Sequence, residues 1–227
     1  VKILLLWDID GTLITSGRSG MRALHATLQE VFGITGTLDA IPFAGRTDRW
    51  ILREVFRHFD IPVTEENIQK TFARYVELLP AMLAQNREGR VLPGVHEILQ
   101  AAAAHGHIAQ GLLTGNLKRG AELKLVHYGL WQHFPFGAFA DDSELRDELG
   151  PWAVRRAQEH HRAQFAPANV WIIGDTQHDI ACGKVIGART LAVATGGHTL
   201  DQLRQHEPTV VLENLADTAA VLKLLAG

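Results

Sequence analysis

Cysteine is almost absent from this chain: Cys182 is the only one among 227 residues. A single thiol cannot close an intramolecular disulfide, so the fold must rest on a hydrophobic core, and a reducing compartment suits it. Long apolar runs are missing as well. The stretch from Ile3 to Trp7 is far too short to cross a bilayer, and no basic leader with a small-residue cleavage site accompanies it. The expectation is a cytoplasmic protein with no membrane partner. An excess of either charge is also lacking, since 22 basic and 25 acidic side chains leave a net −3. That balance gives nucleic acid no electrostatic footing. There is no P-loop, no Gly-x-Ser-x-Gly elbow and no dinucleotide fingerprint. Histidines are plentiful, but no pair has the i, i+4 spacing joined to a carboxylate or cysteine that zinc sites show. His105 and His107 flank a glycine, and His160-His161 end a helical pattern, where compensation of the dipole is ordinary.

An apolar share of 46% and a charged share of 21% describe a globular protein. Its length suits one core domain with a modest insertion. The chain is organised around Ile3-Leu4-Leu5-Leu6-Trp7-Asp8-Ile9-Asp10-Gly11-Thr12. A short apolar run ended by a turn signal reads as a buried strand. Asp8 and Asp10 come where that strand runs out. In an open α/β sheet the carboxyl ends of the strands face the ligand crevice. Leu112-Leu113-Thr114-Gly115-Asn116 sets a hydroxyl at the end of a second run. Val170-Trp171-Ile172-Ile173-Gly174-Asp175 sets a carboxylate at the end of a third, with Asp179 just beyond.

Between residues 15 and 90 the patterns are helical only. Met21, Leu24, Leu28, Val31 and Phe32 mark one helix. Ile51, Leu52, Val55, Phe56 and Phe59 mark a second, with Thr47-Asp48 at its start. A third opens at Thr64-Glu65-Glu66 and is expected to kink or split at Pro80. Beyond Leu92-Pro93-Gly94, helices and strands alternate to the end, with a strand expected from Phe134 to Ala140. The expected fold is a doubly wound, mostly parallel, Rossmann-like α/β sheet. Residues 1–14 and 91–227 would form its core and residues 15–90 an inserted all-helical cap.

Four strand-end positions in this order resemble the haloacid dehalogenase-like hydrolases, in their phosphoglycolate phosphatase-like and β-phosphoglucomutase-like branch. The resemblance implies a phosphatase acting on a small phosphorylated metabolite, as a monomer or homodimer. An ionised aspartate needs no base to attack phosphorus. By the resemblance, Asp8 is that nucleophile. Asp10 is the proton donor to the leaving oxygen and then the base for water, and its carbonyl touches a metal. Asp8 and Asp175 are hard oxygen donors of the type that selects Mg²⁺. Asp179 would be a further ligand or a carboxylate behind them, with an N-cap of the following helix as its alternative role. Gly11, Thr114, Gly115 and Asn116 would cradle the phosphoryl group beside a helix N-terminus.

The family's basic residue, usually lysine, has no match between Phe139 and Trp152, where Arg146 is the only cation. Arg146 is taken for the role, with Lys118 and Lys124 as alternatives on the helix after Thr114. Arg46, in Gly45-Arg46-Thr47-Asp48, resembles a cap-loop residue facing the site and would hold a second anionic group of the substrate. Arg18, His25 and the Gly196-Gly197-His198 loop are secondary candidates, and Lys184 has no assigned role. A dehalogenase lacks the acid that Asp10 would supply. A sugar phosphomutase, or a non-catalytic binding module on the same fold, are the alternatives.

Overall fold

The computed structural model describes residues 2–226. Six parallel strands form the main sheet: β1 (Ile3–Trp7), β4 (Ile108–Leu113), β5 (Gly137–Ala138), β6 (Val170–Gly174), β7 (Arg189–Val193) and β8 (Val210–Leu212), in the order β5-β4-β1-β6-β7-β8. Strand β1 is unbroken by polar residues because helices cover both of its faces. Leu5 and Trp7 pack with Leu112, Ile173 and Leu191 on one side, while Leu4 and Leu6 pack with Leu113 and Ile172 on the other. A wholly buried leucine of this kind contributes about 1.5–3 kcal/mol, and Leu5→Ala or Leu6→Ala would cost about 2–5 kcal/mol through the cavity left behind.

The chain leaves β1 for β4 on one flank and later returns to β6 on the other. This reversal opens a crevice above the ends of β1, β4 and β6. The remaining core helices are α4 (Val95–Ala104), α5 (Lys118–His127), α6 (Leu149–His161), α7 (Gln177–Ile186), α8 (Leu200–Arg204) and α9 (Thr218–Ala226).

The helical insertion consists of α1 (Ser19–Phe32), α2 (Asp48–His58) and α3 (Glu65–Ala84). It has a core of its own. Ile68, Tyr75, Leu79 and Leu83 make a buried stripe on α3 that meets Leu24 and Leu28 of α1 and Leu52, Val55 and Phe56 of α2. Thr47 and Thr64 cap α2 and α3, accepting from the backbone N–H of Trp50 and Asn67 respectively.

Three expectations need correction. Helix α3 is not split at Pro80 but continues through it as one element, because Leu79 and Leu83, both buried, anchor the turns on either side of the missing N–H. The segment from Phe134 to Ala140 contributes only the two residues of β5. Leu112 N–H reaches Phe136 O at 3.0 Å and Thr114 N–H reaches Ala138 O at 3.1 Å, while Pro135 has no N–H and confines the segment to a sheet edge. The insertion is also not purely helical at its roots. There β2 (Ile14–Thr15) pairs antiparallel with β3 (Arg90–Val91), and the Asn86 amide donates to the carbonyls of Ser16 and Gly17. This ribbon ties the two connecting segments together.

Candidate active site

The sheet register sets the site. Trp7 pairs with both Leu112 and Ile173, so Asp8, the Leu113–Thr114 end of β4 and the Gly174–Asp175 end of β6 lie at one level. A cavity of about 420 Å³ opens there, between the sheet and the helical insertion. Asp8, Asp10, Gly11, Arg46, Gly115, Asn116, Arg146 and Asp175 all line it. Thr114 and Asp179 are buried just behind.

Two charged clusters meet in this floor. Arg146 places one guanidinium nitrogen 2.9 Å from Asp8 Oδ1 and pairs the same nitrogen with Asp179. The other Asp179 oxygen accepts from Thr176 N–H at 3.1 Å and from Thr176 Oγ1 at 2.7 Å, which completes a capping box on α7. Thr176 is therefore the N-cap, and Asp179 stands one turn further in, where it stabilises the helix start and the arginine together.

The second cluster surrounds Asp10. Lys124 Nζ lies 2.6 Å from Asp10 Oδ2 and 2.6 Å from Asn116 Oδ1. Asn116 Nδ2 donates to Asp10 at 2.9 Å and to Thr114 Oγ1 at 2.8 Å, and Ser16 Oγ donates to Asp10 Oδ1 at 3.1 Å.

The two aspartates respond oppositely. Burial pushes the Asp8 carboxyl up to about 6, against the pull of Arg146 and with repulsion from Asp179 and Asp10. Asp10 is also desolvated, yet Lys124, Asn116 and Ser16 hold it below the ordinary range. Asp175 is raised by burial and then by the neighbouring charges of Asp8 and Asp179.

Oxygen atoms of Asp8, Asp175 and Asp179 lie within 4.8 Å of one another. Three carboxylates and one guanidinium leave two negative charges, and every donor is a hard oxygen. The cluster fits a divalent metal ion.

Two glycines are required by close approach. A Cβ on Gly11, whose φ is +85°, would sit 2.5 Å from an Asp175 carboxylate oxygen. One on Gly115 would meet the Arg46 carbonyl oxygen at 2.2 Å. The loop before α2 is docked on the core at that point: Asp48 N–H donates to Gly115 O at 2.7 Å, Leu117 N–H donates to Asp48 Oδ2 at 2.8 Å, and Thr47 Oγ1 donates to Glu144 O at 2.6 Å.

Several sequence candidates fall elsewhere. Arg46 lines the cavity, but its guanidinium lies over the Trp50 ring, 4.4 Å from the centroid. Arg18 is exposed at the rim, His25 bonds the Gly36 carbonyl away from the cavity, and Lys184 pairs with Glu207 on the surface. Gly196 and Gly197 do border the cavity. Lys118 is exposed, whereas Lys124, the other alternative cation, is the one that reaches an aspartate. Asp48 and Tyr75, which had no expected role, are also in the cavity wall. A signal for Lys124 existed: it sits on a helix stripe with Ala121 and Leu125, where a solvated lysine is out of place.

Carboxylates gathered at the carboxyl ends of a doubly wound sheet, under a helical insertion, define a hydrolase class built on acidic side chains. The sequence pattern of the haloacid dehalogenase-like hydrolases matches residues 5–184, and the chain belongs to that family. Within it, the chain is a hydrolase of the phosphatase kind. It is 26% identical to the probable phosphatase IndB of Dickeya dadantii, over 99% of this chain and 96% of that one. It is 25% identical to the pyrophosphatase PpaX of Bacillus mycoides, over 98% of each chain. The fold is shared with CbbY of Rhodobacter sphaeroides, solved in complex with phosphate, at a TM-score of 0.75, 16% identity and 96% coverage of each chain. Among the described residues, no helix is long and apolar enough to cross a membrane.

Proposed function

We propose that this protein is a magnesium-dependent phosphatase that hydrolyses a small phosphorylated metabolite through an aspartyl-phosphate on Asp8. The observation that carries the reading is the convergence of Asp8, Asp10, Asp175 and Arg146 on one cavity floor at the strand ends. Magnesium, held by Asp8, Asp175 and the Asp10 carbonyl with Asp179 behind them, would supply the positive charge that offsets repulsion between Asp8 and an anionic phosphoryl group.

The chain's own residues account for the rest. An Asp8 carboxylate oxygen attacks phosphorus, and the bond from phosphorus to the leaving oxygen breaks. Lys124, Asn116 and Ser16 hold Asp10 ionised in the free protein. Asp10 therefore takes up a proton from solvent as the anionic substrate binds and then gives that proton to the leaving oxygen. In the second step Asp10 takes a proton from water as the water oxygen attacks phosphorus, which releases phosphate and frees Asp8. Arg146 fixes the orientation of Asp8 through the one guanidinium nitrogen that Asp8 shares with Asp179, and Lys124 with Asn116 fixes Asp10. The Gly115 backbone N–H, next to the start of α5, faces the phosphoryl oxygens together with Gly11 and the Thr114 hydroxyl, whose oxygen is held by the Asn116 N–H at 3.3 Å and by Asn116 Nδ2 at 2.8 Å. Residues 15–90 act as a cap domain over the core formed by residues 1–14 and 91–227. Arg46 then borders the leaving-group end of the cavity, and the reaction takes place in the cytoplasm.

The test is phosphate release from phosphomonoesters before and after exhaustive chelation, with rapid-quench labelling of wild type and Asp8→Asn. Turnover should vanish on chelation and return with Mg²⁺, and only the wild type should carry covalent phosphate. Full turnover by metal-free protein, or a labelled Asp8→Asn variant, would contradict the reading.

A further inference from the structure

The part of the cavity away from the aspartates has a distinct chemistry. Met21 and Leu24 of α1, Phe43 of the following loop, Ile51 of α2, and Phe72 and Tyr75 of α3 make a largely apolar wall. Besides Arg146 in the floor, three cations line the cavity, and each is oriented by another group. The Arg46 guanidinium is stacked on Trp50. Lys124 is paired with Asp10 and Asn116 at 2.6 Å each. Arg18 is 68% exposed at the rim, 4.0 Å from Asp39.

The charged group that does enter this half of the cavity is an anion. Asp48 Oδ2 accepts from Leu117 N–H at 2.8 Å, while Oδ1 accepts no hydrogen bond from any described residue. A carboxylate oxygen without a partner beside an apolar wall disfavours a second negative charge and favours a hydrogen-bond donor.

We infer that the substrate is a phosphomonoester of an alcohol with an apolar ring or chain, uncharged apart from its phosphate, that presents a hydroxyl or N–H to Asp48. This rests on the phosphatase reading and selects a leaving group within it. The floor residues meet only the phosphoryl group that all candidates share, so discrimination belongs to the wall. A substrate such as phosphoglycolate would bring its carboxylate towards Asp48, and pyrophosphate would bring a second phosphate.

The test uses the full chain with Mg²⁺ and four substrates: phenethyl phosphate, its para-hydroxy analogue, phosphoglycolate and pyrophosphate. The first three all leave as primary alcohols, so their differences chiefly reflect recognition. The two aryl-bodied esters should exceed phosphoglycolate and pyrophosphate in kcat/KM by about tenfold or more, the worth of burying a ring in an apolar pocket. The para-hydroxy ester should be the better of the two.

Asp48→Asn keeps an acceptor for Leu117 N–H but removes the charge. It should lower the kcat/KM ratio of the para-hydroxy ester to phosphoglycolate by about tenfold. Phe72→Ser should lower the ratio of phenethyl phosphate to phosphoglycolate, with thermal unfolding confirming that each variant folds. Equal or greater kcat/KM on phosphoglycolate or pyrophosphate would overturn the inference and leave the phosphatase reading standing. Ratios unmoved in both variants would do the same. No phosphate release from any of the four would overturn that reading, and the inference with it.

Discussion

Arg146 is as deeply buried as the carboxylates it joins, with 5% of its side chain exposed against 6% for Asp8 and 3% for Asp179. Its removal would leave two charges in a low dielectric without compensation, and breaking such a pair costs about 3–5 kcal/mol. Arg146→Met is therefore expected to lose most of that amount in urea unfolding. Arg146→Lys restores the charge but not the rigid planar group that holds the shared nitrogen between Asp8 and Asp179, so it should recover much of the stability while kcat stays about ten- to a hundredfold down. Equal kcat in Arg146→Lys and wild type would show that orientation of Asp8 does not depend on the planar group. Asp48 permits a pH prediction. Burial raises its carboxyl from 3.8 to about 6, against the pull of Lys124 and of Leu117 N–H. The native state thus binds the extra proton between those values. Its contribution to stability is present below about pH 4 and is lost as the pH rises through about 6. Asparagine has no such titration. The stability of Asp48→Asn relative to wild type should improve by about 1–2 kcal/mol from pH 4 to pH 7, allowing for partial solvent screening. Denaturant titrations at several pH values measure it, and a pH-independent difference would rule it out.

At the scale of elements, what was legible in the sequence followed from periodicity and what was missed followed from reach. Strands β1 and β6 were readable because each is an uninterrupted apolar run ending in a polar residue, and β4 because Gln110 alone interrupts its run, so Asp8, Thr114 and Asp175 could be located by counting. The α2 start at Thr47 was readable from its capping chemistry. The pairing of Lys124 with Asp10 spans 114 residues and lies outside any local pattern; it requires knowing that α5 lies beside the first connecting loop. Asp48 looked like an ordinary acidic residue of a first helical turn, and only the docking of α2 against Gly115 and Leu117 turns it towards the cavity. Pro80 misled for a different reason. The rule about helix interiors concerns the cost of a lost hydrogen bond, whereas the outcome depends on whether neighbouring turns are anchored. That cost is still present in α3. Pro80 is exposed, so Pro80→Ala removes no packing and regains an N–H, and it should stabilise the protein by about 1–3 kcal/mol, less the entropy that proline removes from the unfolded chain. Thermal unfolding decides it: an unchanged or lowered Tm would mean that the Pro80 turn is bent in a way the insertion needs.

Across the whole molecule, the site and the fold make opposing demands on the same charges. Asp8 and Asp175 are buried at the carboxyl edge of the central strands, and burial pushes both towards protonation, helped by the charges of Asp179 and Asp10 at Asp8 and by those of Asp8 and Asp179 at Asp175. One guanidinium cannot neutralise three carboxylates, so the metal-free protein carries excess negative charge at the point where β1 and β6 meet. Replacing one carboxylate by an isosteric amide should relieve that repulsion with little change in packing. In the presence of chelator, Asp175→Asn is therefore expected to be more stable than wild type by about 1–2 kcal/mol, a Tm increase of about 2–8 °C for a chain of this size. A divalent ion reverses the order. Bound to the native state of the wild type, it should stabilise that state by an amount that grows with the logarithm of its concentration, about 2.7 kcal/mol at a hundred times Kd. The variant has lost a ligand and should respond far less. The two melting curves should thus cross as Mg²⁺ is added, with wild type the more stable at saturation. Calcium can be compared with magnesium in the same experiment, and it separates binding from turnover because no substrate is present. A wild type more stable than Asp175→Asn in chelator would show that the aspartate's hydrogen bonds outweigh the repulsion. Parallel responses of the two proteins to Mg²⁺ would remove Asp175 from the metal site.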